Sequence, residues 1–377
     1  MKKFLPVTLL FSAALLHAAS AVSADSARGG EVFELQGCVQ CHALNGIGPT
    51  VGPDLGLIAD RGFTPASLAA TMWNHAPAMW AETQLRNAPR PVMTDQQAAD
   101  LFAFFYSLRF FEEPGDAARG KALFTTKRCA TCHGIDEPKM PGVKPVAEWT
   151  DVSDPLQLVE TMWNHSSAMQ TEMARNNIRV PQLKGQDLAD LLVYTRRATN
   201  RPRPKPLLRI EAGDAGKKLF SEKKCDSCHG SVTHFLATNL HTETLTNIAA
   251  DMWNHGIDMS LRDTKFAPGE MRQIAGYIWF SRAIEGAGEA GRGAQVFAAK
   301  KCTVCHDDPS SGAPAIAGLA SNGQFFSGTT MIAALTLHGP KMLDKMREKH
   351  LPWPHFSAED MSGLIAYLNT RAGRSGK

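Results

Sequence analysis

Apolar residues stand three and four positions apart at Met361, Leu364, Ile365 and Leu368, and in the same register at Met271, Ile274, Ala275 and Ile278. This spacing predicts helices with one buried face. Thr94-Asp-Gln-Gln97 and Ser357-Ala-Glu-Asp360 read as start signals for such helices: a hydroxyl to accept a backbone N–H, and a polar side chain three residues on. An aromatic keeps one register in four closing segments, at Phe104, Tyr194, Tyr277 and Tyr367, and is expected to pack against an opening helix. That helix is predicted upstream, where Gly29, Gly120, Gly216 and Gly293 are each followed four residues later by Phe33, Phe124, Phe220 and Phe297. Between them lies a third helix, begun by Thr64-Pro65 in the first copy and Asp154-Pro155 in the second, with proline at the first helical position. It runs through Thr71-Met-Trp-Asn-His75, Thr161-Met-Trp-Asn-His165 and Asp251-Met-Trp-Asn-His255, with a degenerate fourth version ending Leu337-His338. The Trp-Asn pair reads either as packing beside a bound group or as closing the helix against the core. Pro77, Gly256, Gly339 and Pro340 predict that these helices stop just after the histidine.

The same order of segments returning four times is an internal repeat. Glu112-Glu-Pro-Gly-Asp116, the proline-rich stretch 201–206 and the glycine-rich stretch 285–291 read as linkers between copies. The expected fold class is all-α, with four tandem helical domains over 25–113, 114–209, 210–286 and 287–377.

The eight cysteines then set the chemistry. They fall as Cys38-Val-Gln-Cys41-His42, Cys129-Ala-Thr-Cys132-His133, Cys225-Asp-Ser-Cys228-His229 and Cys302-Thr-Val-Cys305-His306, with none left over. Cys-x-x-Cys-His puts two thiols on one helical turn, where they can add to the two vinyl groups of haem, and the next residue offers imidazole to the iron. Zinc sites also use Cys-x-x-Cys, but they need a second pair or histidines nearby and give no reason for histidine after every pair. A thioredoxin-type redox pair belongs once in a βαβ pattern, which is missing from this sequence. Disulfides, the other option for an exported chain, leave the histidines unexplained. The expected cofactors are four covalent haem c groups, with His42, His133, His229 and His306 as proximal ligands.

In these motifs the chain resembles class I cytochromes c, repeated four times over nearly all of the sequence after residue 24. The resemblance implies an opening helix crossing a closing helix with haem between them. Gly52-Pro53-Asp54-Leu55 is similar to the family segment whose proline carbonyl accepts a hydrogen bond from the proximal histidine; Gly312-Ala313-Pro314-Ala315 and Pro145 are its counterparts in the fourth and second copies, and the third has none. About 88 residues per haem suffice for a small helical domain around each.

Two residues of the central segment recur in every copy, a histidine and a methionine four positions later. The preferred distal iron ligands are Met79, Met169, Met259 and Met342, expected in a loop just past the helix, as class I cytochromes present theirs. The alternative is His75, His165, His255 and His338, which otherwise bond a propionate. Met93 matches Leu183, Phe266 and Phe356 in the other copies and reads as core. His17, His234, His241, His350 and His355 have no repeating place.

Met1-Lys2-Lys3 and the apolar run from Phe4 to about Ala21 read as a signal peptide, cleaved after Ala24 (or Ala21), and no cysteine near that point offers a lipid attachment site. Periplasmic or other export is expected, with no membrane span after cleavage. Loss of Lys2 and Lys3 takes the formal charge from +3 to about +1, and eight haem propionates would take it to about −7. No basic stripe suits nucleic acid; the one short basic run, at 201–206, alternates with proline. The function expected is electron transfer between redox protein partners or with a membrane oxidoreductase, a carrier more than a catalyst. The alternatives are a haem enzyme with one open or displaceable site, peroxidase-like or thiosulfate-oxidising, and a cytochrome subunit of a larger complex.

Overall fold

Where helices must cross closely, the repeat has glycine. The opening helices Ser26–Leu35, Ala117–Thr126, Asp214–Glu222 and Ala290–Ala299 cross the closing helices Asp95–Leu108, Gly185–Ala198, Glu270–Ile284 and Ala358–Arg371. At the crossings Gly29 lies on the carbonyl of Asp100, Gly120 on that of Asp190, Gly216 on that of Gln273 and Gly293 on that of Gly363, and a Cβ at any of them would overlap the oxygen. The expected aromatic pairs seal each crossing: Phe33–Phe104, Phe124–Tyr194, Phe220–Tyr277 and Phe297–Tyr367, with ring centroids 5.7, 5.5, 5.8 and 5.5 Å apart.

The structure is a computed structural model that describes residues 23–56, 63–108, 115–149, 152, 154–199, 209–230, 244–256, 264–284, 288–316 and 326–372. The signal-like segment through Val22, the 201–206 stretch, residues 112–114 and 285–287 of the other two linkers, His17, His234, His241 and Met259 lie outside these residues. The fold is all-α; the described residues add only one short antiparallel strand pair, Ala24–Asp25 with Glu211–Ala212.

Thr64 and Asp154 cap the central helices as expected, and Thr94 with Gln97 and Ser357 with Asp360 form reciprocal caps on closing helices. An arginine of the opening helix reaches an acid of the closing helix in three copies: Arg28–Asp100, Arg119–Asp190 and Arg292–Asp360, each 2.8 Å. Burial pushes the Asp190 carboxyl up, but the Arg119 guanidinium, the Asp116 amide at 2.7 Å and the Gln186 amide together hold it below its ordinary value. Its contribution is therefore present above the ordinary carboxylate range and lost as pH falls through the depressed folded value. Asp190→Asn is expected to flatten the acid limb of a stability-versus-pH curve, and an unchanged limb would contradict this assignment.

The expected stop after the motif histidine does not hold in two copies. The first central helix, Pro65–Leu85, continues through Pro77, and the fourth, Gly328–Glu348, continues through Gly339 and Pro340. In the second the chain breaks at His165, between Pro155–Asn164 and Ser166–Arg175, and in the third the helix is described over Leu245–Gly256, the residues after it lying outside the described ones. Pro77 has no N–H for the carbonyl of Trp73, but the Trp353 indole N–H donates to that carbonyl at 2.8 Å, so the break in the ladder costs little. The glycines are required by packing: Gly339 lies on the ring of Trp80 and Gly256 on the ring of Trp163, each from another copy.

These contacts pair the copies out of sequence order. The Asn74 side chain bonds the backbone N–H and C=O of Phe356, at 2.8 and 2.9 Å, tying the first copy to the fourth. Asn164 does the same at Phe266, at 2.9 and 2.8 Å, and Asn254 at Leu183, at 2.8 and 2.7 Å, tying the second and third copies reciprocally. Thr336 fills the role in the fourth copy, accepting from the Met93 amide at 3.0 Å. The four gripped residues are the equivalent positions Met93, Leu183, Phe266 and Phe356, all buried. Trp163 and Trp253 add indole bonds to the carbonyls of Thr264 and Pro181, both 2.9 Å. Glu160 of the second copy also caps the third closing helix, accepting from the amides of Gly269 and Met271 at 3.0 and 3.1 Å. The first and third copies meet through Ser26, whose amide donates to the Ile210 carbonyl and whose hydroxyl accepts from the Ile210 amide, both 3.0 Å, and through Trp279, stacked on Phe102 at 5.4 Å and against Tyr106 at 4.5 Å. Contacts thus run from the fourth copy to the first, third and second.

Candidate haem sites

The end of each opening helix reverses sharply. The residue before each first cysteine is left-handed: Gly37 at φ 74°, Arg128 at 67°, Lys224 at 62° and Lys301 at 63°. Three of these are not glycine, an uncommon conformation for residues with a side chain. A single helical turn follows, closed by bonds from the amides of His42, His133, His229 and His306 to the carbonyls of Cys38, Cys129, Cys225 and Cys302, at 3.0, 2.9, 3.0 and 2.9 Å. Both thiols and the imidazole of each motif therefore gather on one turn. All eight cysteines are free of disulfides. Burial pushes the thiols of Cys38, Cys129 and Cys302 up to about 11, and that of Cys225 upward as well.

Each proximal ring is oriented from behind where the following loop is described. A carbonyl can only accept, so Nδ1–H donates: His42 to Pro53 at 2.9 Å, His133 to Lys144 at 3.1 Å and His306 to Pro314 at 3.0 Å. Nε2 is left with its lone pair facing outward, the tautomer that binds iron. In the second copy the acceptor belongs to the residue before Pro145, a correction to the expected carbonyl, because only the backbone oxygen is used. The corresponding loop of the third copy, 231–243, lies outside the described residues.

Opposite each proximal ring stands the motif histidine. Ring centroids are 6.4 Å apart for His133–His165, 5.9 Å for His229–His255 and 5.9 Å for His306–His338. In the first copy His75 and His42 lie close enough to interact electrostatically. His75 and His165 are held from behind too, donating Nδ1–H to the carbonyls of Thr71 and Thr161, the latter at 2.5 Å. Burial lowers the affinity of the His75, His133, His165, His229 and His338 rings for a second proton, keeping them in the neutral, ligating form.

Met79, Met169 and Met342 occupy helices, not the loops expected of them, and pack half-buried against the core. Met93, with Leu183, Phe266 and Phe356, is core as expected, and His350 and His355 are exposed. Sequence reasoning did not single out Trp149, which stands edge-on to His133 at 5.2 Å.

A turn offering two thiols and an imidazole, facing a second imidazole across a gap of iron size, fits covalent haem. A sequence model of the family described as Cytochrome c matches residues 26–109, 117–198 and 290–372, more than half of the chain. The chain belongs to the cytochrome c family. The three matched segments correspond to the first, second and fourth copies. The third copy, unmatched, shares the crossing glycine, the aromatic pair, the Cys-x-x-Cys-His turn and the facing histidines of the other cytochrome c units. No curated protein and no solved structure matches the chain.

Proposed function

We propose that this cytochrome c is an exported tetrahaem electron carrier with domains over 25–113, 114–209, 210–286 and 287–377, passing electrons between redox partners. The observation that carries this reading is the fourfold recurrence of a Cys-x-x-Cys-His turn facing a second protein imidazole. Haem c supplies a one-electron couple when bound. The residues of the chain would hold each ring between two helices, orient the proximal imidazole through a backbone carbonyl in the first, second and fourth units and set the motif histidine against the opposite face. A second protein imidazole at each site, taken as an iron ligand, would leave no coordination position for a substrate.

Contacts between the units run fourth, first, third, second, which supports exchange between units in that order and not along the sequence. Export rests on Met1-Lys2-Lys3, the apolar stretch behind it and the needs of thioether attachment. Among the described residues no helix is long and apolar enough to cross a membrane.

A reductive titration of the purified protein tests the reading. It is expected to take up four electrons per chain, to bind carbon monoxide poorly when reduced and to turn over neither peroxide nor thiosulfate. Rapid stoichiometric binding of carbon monoxide at one haem, with turnover, would replace the carrier reading by a catalytic one. Cell fractionation checks the export, with processed protein expected outside the cytoplasm.

A further inference from the structure

The facing histidines carry an inference beyond electron transfer. We propose that the distal iron ligand in every unit is the motif histidine, His75, His165, His255 and His338, so that all four haems are bis-histidine, unlike the methionine ligation the family resemblance implies. The proposal rests on the tetrahaem reading and concerns only the sixth ligand.

A metal–imidazole bond is about 2 Å long and the ring centroid lies about 1 Å behind the nitrogen, so two imidazoles on opposite faces of one iron have centroids about 6 Å apart. The observed separations of 6.4, 5.9 and 5.9 Å match this in three units, although the helix breaks at the histidine in the second and continues past it in the fourth. A propionate-binding histidine would lie at the haem edge and has no reason to face the proximal ring at this spacing in each of them.

Tautomers point the same way. Nδ1 of His75 and of His165 donates to a carbonyl one turn back on its own helix, as Nδ1 of His42 and of His133 donates to a loop carbonyl. In both units the two nitrogens left with lone pairs are the Nε2 atoms, one on each ring, which is the arrangement that ligation by both needs.

The methionine is displaced. Met79 and Met342 each continue the histidine's helix by four residues, about 6 Å along its axis at 1.5 Å per residue. Side chains one turn apart share a face but not a point, so with the histidine on the iron axis the methionine lies beyond it, packed on the core. Because Pro77 and Pro340 do not end their helices, the loop that would carry methionine to the iron does not form there.

The test is ferric near-infrared and electron paramagnetic resonance spectroscopy on the fully haem-loaded protein, with haem counted separately per chain. The expected spectrum is low-spin with bis-imidazole signals and without the sulfur-to-iron charge-transfer band. Met79→Leu, Met169→Leu, Met259→Leu and Met342→Leu are expected to leave it unchanged and to leave the reduction potentials in place. His165→Ala is expected to convert one haem in four to a carbon-monoxide-binding form, and His165→Met to bring in the sulfur band at one haem with a raised potential. A sulfur band in the unaltered protein that is lost in the methionine variants would overturn the proposal while leaving the haem count untouched. A count below four would instead strike at the tetrahaem reading, and the wild-type spectrum decides the ligand even where an alanine variant does not fold.

Discussion

Gly293→Ala is expected to destabilise the fourth unit by about 3 kcal/mol or more, whereas Gly291→Ala in the same helix is expected to stabilise it by roughly 0.5–1 kcal/mol. The difference is one of surroundings. A Cβ at Gly293 meets the carbonyl of Gly363 and the Cβ of Tyr367, backbone and near-backbone atoms of the closing helix that cannot swing aside. A Cβ at Gly291 meets nothing within 4 Å, so alanine there gains only helix propensity. Relief of the first clash requires the two helices to separate, which also opens the Phe297–Tyr367 contact beside His306. Thermal unfolding followed through the haem absorbance and by calorimetry distinguishes the two variants. Equal effects would mean that the helices do not cross at Gly293.

Asn254→Ala is expected to loosen the second and third units from each other. Asn254 both accepts from the Leu183 amide and donates to its carbonyl, and Leu183 is buried, so alanine leaves two backbone groups without partners. Each unsatisfied group costs roughly 1–3 kcal/mol. The loss falls on the joint between units, because the third unit supplies Asn254 and the second supplies Leu183. Hydrogen exchange at the Leu183 amide should accelerate by at least tenfold, while the Phe356 amide, held by Asn74 in the other pair, keeps its protection. Unchanged protection at Leu183 would show that the pair is held by other contacts, such as the Arg272–Asp154 bridge at 2.6 Å.

Much of one unit was legible in the sequence, because the features that specify it are local. Caps at Thr64, Asp154 and Ser357, the phenylalanine five residues before each first cysteine and the aromatic register of the closing helix all act within a helix or across one crossing. The consequence of Pro77 was not legible. A proline breaks a helix when the carbonyl four residues back finds no donor, and here the donor is Trp353, 280 residues away in sequence. The role of the Trp-Asn pair was hidden for the same reason: its partners are backbone groups of another copy, which carry no residue signature. A signal did exist in the register itself, since Met93, Leu183, Phe266 and Phe356 align with one another as the three asparagines do; in the fourth copy Leu337 stands at the asparagine register and Thr336, one residue earlier, makes the bond. Repetition of both sets called for one shared role, and the core of a single unit offered none.

Facing histidines were legible as candidates and not as partners. Their choice over methionine depends on the course of the helix after the histidine, and propensity at glycine and proline pointed to a loop where packing against Trp80 and Trp353 maintains the helix.

The central claim, that all four Cys-x-x-Cys-His turns carry haem, bears hardest on the third unit, the one outside the matched family segments. Intact mass of the protein matured in a host that attaches haem c, taken beside the double variant Cys225→Ala/Cys228→Ala, tests it directly. Four haem masses on the unaltered chain and three on the variant are predicted. Three haems on both would contradict the account, because the Cys225 turn would then be a copy of the haem-binding shape that holds none.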